Sequence, residues 1–246
     1  TSTKIYQTNF SDWSHSMKLL LENWRQYMNE MEEPITTLRI FDFDETIART
    51  RSETRVWEPG RSSAQNPNDP DETLTNQEEF DTYMKKAAAS EGITDFDPID
   101  ALREKGYEID LEDFSKVIDP REIKIVTDRL KEFPENAKTY IITARGMSST
   151  RPILDYLDSL EIDTGRIRLI ATAGESKGAV IANMIAQKRM ADGSSNIKDV
   201  EYYEDSGKNI TDVMNHICPE KLANLTIYKV IHIEDTDEYD LEYVGC

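Results

Sequence analysis

Cysteine is nearly missing from this 246-residue chain, which holds only Cys218 and Cys246. Two cysteines are too few for a disulfide framework, and without a Cys-x-x-Cys pair or a Cys/His cluster there is no zinc signature. The scarcity suits a reducing compartment, so a cytoplasmic protein is expected. Histidine is scarce as well: His15, His216 and His232 are scattered and share no ligand-like spacing. Long apolar runs are absent, none approaching the roughly 18 residues of a membrane span, and the first residues carry no signal-peptide core. No membrane insertion is expected. Basic residues number 29 against 48 acidic ones, a formal net charge of -19. That field repels phosphate backbones and argues against extended nucleic-acid binding. A small phosphorylated substrate stays compatible, because a divalent cation and a few arginines reverse the sign locally.

Hydrophobic residues still make up 38% of the chain, enough for the core of one α/β domain with an insertion or an appended element. Residues 11–33 read as an amphipathic helix, with Trp13, Met17, Leu20, Trp24, Tyr27 and Met31 on one stripe and Pro34 at its end. The stripe suits packing on the chain's own domain; docking to a partner or self-association is the alternative. Leu38–Phe43 is a β-rich run ending in acids. Residues 51–79 are polar, hold Pro59, Pro67 and Pro70, and read as loop. A short helix is expected around residues 80–87, with isolated helical turns at Leu102 and over 111–117.

Beyond that the chain alternates. Asp119-Pro120 is expected to open a helix through Phe133, followed by strands at 139–143, 167–171, 200–203 and 225–233. Helices are expected between them, at about 149–160, 176–189 and 208–217, and the acidic 234–246 segment reads as an exposed tail or edge strand. Strands alternating with helices predict a Rossmann-like, mainly parallel sheet with helices on both faces. The domain reading is therefore a helical extension over 1–36 and an α/β domain over 37–246 that carries an insert at about 47–118.

In parallel sheets, ligands bind beyond the carboxyl ends of the strands. Those ends carry Asp42, Asp44 and Thr46; Thr143 and Arg145; Lys177, opening the next helix; and Glu204 with Asp205. Carboxylates converging without partners repel one another and call for a cation. Oxygen ligands without Cys or His point to Mg2+, which pairs with substrate phosphate. Position, neutralise and attack in line: the set suits phosphoryl transfer.

These motifs resemble the haloacid dehalogenase superfamily, whose phosphatases carry a hydrophobic strand followed by D-x-D-x-T. Here that is Ile40-Phe41-Asp42-Phe43-Asp44-Glu45-Thr46, with Tyr140–Thr143 as a second motif, Lys177 as a third and Tyr202–Asp205 as a fourth. The chain is most similar to small phage and bacterial members of unassigned substrate, through Thr143-Ala144-Arg145-Gly146 and Asp205–Ile210. The resemblance implies a Mg2+-dependent phosphatase acting on a phosphomonoester through an aspartyl-phosphate on Asp42, with Asp44 as general acid and then base. It implies Thr46, Thr143, Arg145 and Lys177 at the substrate phosphate. It also implies metal ligation by Asp42, the backbone carbonyl of Asp44 and an acid of the fourth motif. Asp205 is expected to bind directly and Glu204, one methylene longer, through a water. Glu45 stands where the family often has Gly or Asp.

The insert lies where the superfamily commonly places a cap, so substrate choice is expected between residues 47 and 118. Arg49, Arg51, Arg55 and Arg61 either form a solvated charged loop or line a substrate entrance. Two rival readings are a binding or structural protein docking through the 11–33 helix, and a nucleic-acid end-processing phosphatase. If the chain is phage-encoded, a virion-associated location is the alternative to the cytoplasm.

Overall fold

The computed structural model describes residues 35–75, 77–94, 98–187, 196–233, 236 and 238–246. The 11–33 helix reading lies outside them.

The centre is a six-stranded sheet, and its strands come where apolar and β-branched residues run together. They are β1 (Thr37–Phe41), β7 (Ala137–Thr143), β8 (Ile167–Ala171), β9 (Asp199–Glu204), β10 (Asn224–His232) and β11 (Tyr239–Gly245), in the spatial order β11-β10-β9-β1-β7-β8. All pairings are parallel except β10 with β11, which runs antiparallel. The 239–245 segment is thus an edge strand. From β1 the chain steps outward through β7 to β8, then returns to place β9 on the other flank of β1. The direction of winding reverses between β1 and β9, where a crevice must open at the carboxyl edge.

Side chains alternate across the sheet, so each strand feeds two cores. Phe41, Ile141 and Tyr203 pack with Val126 and Leu130 of α3 (Lys124–Leu130) and with Ile153 and Leu157 of α4 (Thr150–Ser159). Ile40, Ile142 and Tyr202 pack on the opposite face with Ile181 and Ile185 of α5 (Lys177–Ala186) and with Val213 and Ile217 of α6 (Gly207–Ile217). The rings of Phe41, Tyr203 and Tyr228 stack across three strands at centroid distances of 4.3 and 4.7 Å. The ladder sits one residue short of Asp42, Glu204 and Lys229 and holds the carboxyl edge in register.

Between β1 and β7 the chain builds a separate small body. Its neck is the two-residue pairing of β2 (Ala48–Arg49) with β6 (Arg121–Glu122). Above it, β3 (Thr54–Trp57) is flanked by β4 (Glu72–Leu74) and β5 (Glu108–Asp110), both antiparallel. Against this sheet lie α1 (Gln77–Ser90) and α2 (Ile99–Glu104), which share a core of Val56, Leu74, Met84, Ala87, Leu102, Tyr107 and Ile109. The loop reading of 51–79 is thereby corrected. These strands are only three or four residues long, and β3 and β5 meet across about fifty intervening positions. Local periodicity carries no trace of such a pairing.

The helix expected from Asp119-Pro120 begins later. Asp119 adopts a φ of 41° and Arg121–Glu122 join the neck, so the first helical turn is pre-empted and α3 starts at Lys124. At its far end, the buried Arg39 guanidinium donates to the carbonyls of Arg129 and Glu132, satisfying groups the helix leaves open. A further correction concerns cysteine: Cys218, just past α6, is bonded to Cys246 at the C-terminus. Scarcity of cysteine therefore no longer argues for a reducing compartment. Among the described residues, no helix is long and apolar enough to cross a membrane.

Candidate functional site

Strand alternation decides what meets at the crevice. Ile40 faces α5 and α6, so Asp42, two residues on, points the same way; so do Tyr202 and Glu204 of β9. Lys177 opens α5 on that face. Its ammonium lies 2.7 Å from Asp42 Oδ1 and 2.8 Å from Glu204 Oε2. All three are buried, with exposures of 3%, 6% and 0% for Lys177, Asp42 and Glu204. A lysine at a helix N-terminus opposes the helix dipole, and the local structure offsets this. Asp212 of α6 accepts from the Ser176 hydroxyl and from the backbone N–H of Gly178, while Ser176 Oγ accepts from Ala179 N–H. Gly178 is required there, since a Cβ would lie 2.6 Å from the Asp212 carbonyl oxygen.

Asp205 adds a third acid. One carboxylate oxygen each from Asp42, Glu204 and Asp205 lie within 4.8 Å of one another. Three acids facing one lysine leave a local excess of negative charge. Burial, then Glu204, pushes Asp42 up to about 8 despite Lys177. Burial and the same two neighbouring acids raise Asp205 well above the carboxylate range. Glu204 goes the other way: burial raises it, but Lys177 and hydrogen bonds from Lys177, Tyr202 and the Ser206 N–H hold it low. Lys177 is likewise held protonated, because Asp42 and Glu204 outweigh the opposing effect of burial. The hard, oxygen-only donor set with unbalanced charge fits a divalent cation. Glu204 already accepts from three protein donors. Asp42 and the partly exposed Asp205 have the freer oxygens.

The other expected residues sit differently. Thr46 is buried, and its hydroxyl donates to Asp205 Oδ1 at 3.1 Å, orienting that acid. Thr143 is buried at the same edge, its hydroxyl accepting the Arg145 backbone N–H at 3.2 Å. Arg145, expected to reach a substrate phosphate, is 3% exposed and its donors are engaged within the protein. It forks onto Asp44 at 2.8 and 2.6 Å, and it also donates to Thr50, Ser52 and the carbonyls of Phe114 and Lys116.

The insert arginines are paired too. Arg49 meets Glu45, Arg51 meets Asp119, Arg55 meets Asp113, and Arg61 meets Asp69 and Asp71. These pairs stitch the insert more than they present free cations. Glu45 adopts a φ of 53°, a left-handed conformation that favours glycine. Beside the acids runs an open cleft of about 290 Å³ lined by Glu45, Asp205, Lys229, Val230, Ile231, His232 and Tyr239.

Two contributors escaped the sequence reading, Thr50 and Ser52, which hold Asp44 and Arg145, and Tyr202 entered it only as part of the fourth motif, without its role as donor to Glu204. Tyr202 had a usable signal, since it stands two residues before Glu204 on a strand and must share its face. Thr50 and Ser52 had none, as Arg145, the partner they share, lies about 95 positions away. Compared with known proteins, the chain matches no family model, no curated protein and no solved structure.

Proposed function

We propose that this chain is a phosphatase of the haloacid dehalogenase type, hydrolysing a small phosphomonoester through a phosphorylated Asp42. The observation that carries the reading is the buried junction of Asp42, Lys177 and Glu204, with Asp205 alongside and Asp44 two residues from the nucleophile. Asp42 attacks phosphorus as the carboxylate, forming a P–O bond as the bond to the leaving oxygen breaks. Asp44 gives its proton to that oxygen, then takes one from the water that cleaves the aspartyl-phosphate and releases inorganic phosphate. Lys177 neutralises charge on Asp42 and on the transferring group. Thr143 offers a hydroxyl at the same strand edge. A divalent cation, Mg2+ by the donor chemistry, would be held by Asp42, Asp205 and the Asp44 carbonyl and would supply the remaining positive charge. The three-stranded insert after β1 acts as the cap that selects the leaving group. The net charge of -19 favours a small substrate over a polyanion.

The test is phosphate release from a panel of phosphomonoesters, with Mg2+ or with EDTA, for wild type and Asp42→Asn. Mg2+-dependent turnover, a trapped phosphoryl adduct on Asp42, and a loss of about 1000-fold or more on substitution are expected. Equal rates for the two proteins would remove Asp42 from the chemistry.

A further inference from the structure

We propose that Arg145 is a positioning residue: it sets the Asp44 carboxylate for proton transfer and makes that setting depend on how the insert is seated. The proposal rests on the phosphatase reading for its chemistry, but its geometry stands by itself. On one side, Arg145 Nε donates to Asp44 Oδ2 and a terminal nitrogen donates to Oδ1, a fork that fixes the plane of the carboxylate. The same terminal nitrogen holds the Thr50 and Ser52 hydroxyls at 2.9 and 3.0 Å, where the chain leaves for the insert. Thr50 in turn donates to Asp44 Oδ1 at 3.1 Å. On the other side, the remaining terminal nitrogen donates to the carbonyls of Phe114 and Lys116, on the segment by which the insert returns. The rings of Phe43, from the core domain, and Phe114, from the insert, flank the guanidinium at 5.4 and 5.3 Å.

One buried cation therefore bonds Asp44 and both roots of the insert at once. If the return segment shifts, the guanidinium loses two acceptors and one aromatic face while shut away from water. Orphaned buried donors are costly, so Arg145 follows the segment and Asp44 follows Arg145. Seating of the insert thus governs where the acid points. Lysine can carry the charge but cannot fork onto a carboxylate while also reaching the carbonyls.

The experiment compares wild type, Arg145→Lys and Arg145→Met on two substrates with Mg2+. An alkyl phosphate needs its leaving oxygen protonated; p-nitrophenyl phosphate expels a stable phenolate without help. Positioning predicts that, in single-turnover measurements, both variants lose about 100-fold or more in the rate of leaving-group release from the alkyl ester and only a few-fold from the nitrophenyl ester, while the later hydrolysis of the aspartyl-phosphate slows alike for both. Equal losses in the leaving-group-release step on both esters would overturn the proton-transfer role. Hydrogen exchange on the full-length chain tests the coupling without turnover. Arg145→Lys should speed exchange over both 43–52 and 111–118, and a change confined to one segment would overturn the coupling. Wild type that hydrolyses neither ester would sink the phosphatase reading and the proton-transfer role together, leaving exchange to judge the mechanical link.

Discussion

Asp42 shares the single ammonium of Lys177 with Glu204, while Asp205 brings a third carboxylate within 4.8 Å. Two residues along the chain, Asp44 receives a guanidinium fork and a threonine hydroxyl, and among the described residues no second carboxylate competes for them. Both regions set an aspartate beside a buried cation, yet they differ in charge balance. Around Asp42 negative charge is in excess and burial heightens it; beside Asp44 stands a guanidinium that bonds both of its oxygens. The difference teaches where an exogenous cation belongs. A buried acid cluster short of positive charge is unfavourable by itself, whereas a forked and capped acid is locally complete.

The largest effect expected from breaking this contrast comes from Lys177→Met. Removing one partner of a buried ion pair costs about 3–5 kcal/mol, and here two carboxylates lose their cation together. Chemical denaturation in EDTA should show a loss of that order, with Mg2+ restoring part of it. A loss within error of zero would contradict the idea of a charge deficit.

A second expectation concerns pH. In the folded protein burial, then Glu204, pushes Asp42 from an ordinary value of 3.8 up to about 8. Between those limits the folded state keeps a proton that the unfolded chain has released, so stability falls as pH rises. Asp205 is raised and acts in the same direction. Glu204 is lowered, so its contribution is lost only as pH falls through its depressed value. In EDTA, the melting temperature should therefore decline from about pH 5 to 8, and Asp42→Asn should flatten the slope while raising the Tm at pH 8. An unchanged slope in the variant would show that Asp42 does not bear the strain. The smallest effect is at the residue after Asp44. Glu45→Gly relieves a left-handed φ but loosens the unfolded chain, so a net change within about 1 kcal/mol is expected. A large loss would reveal that the Glu45–Arg49 contact matters more than the backbone.

Much of the central sheet was legible because its strands are apolar runs separated by amphipathic helices. The 167–171 strand and the helix ending at Ile217 fall where the pattern put them. The polar groups at the strand ends were legible for the same reason: a parallel sheet delivers them to one edge. The insert was opaque, since Thr54–Trp57 and Glu108–Asp110 are too short to show periodicity and find each other only in three dimensions. Arg145 was opaque in a different way. Its place after Thr143 put it near the site, but nothing local told that Phe114, Lys116, Thr50 and Ser52 would converge on it.

By itself, the order of residues determined the alternating α/β plan and which acids and lysine reach the carboxyl edge, because strand period and helix period act over neighbouring positions. Tertiary structure alone decided how those charges were shared. It gave Lys177 to Asp42 and Glu204, Thr46 to Asp205, and Arg145 to Asp44 and the insert. It also joined Cys218 to Cys246. The physical reason is that pairing energies depend on distance and burial, and both are properties of the folded chain.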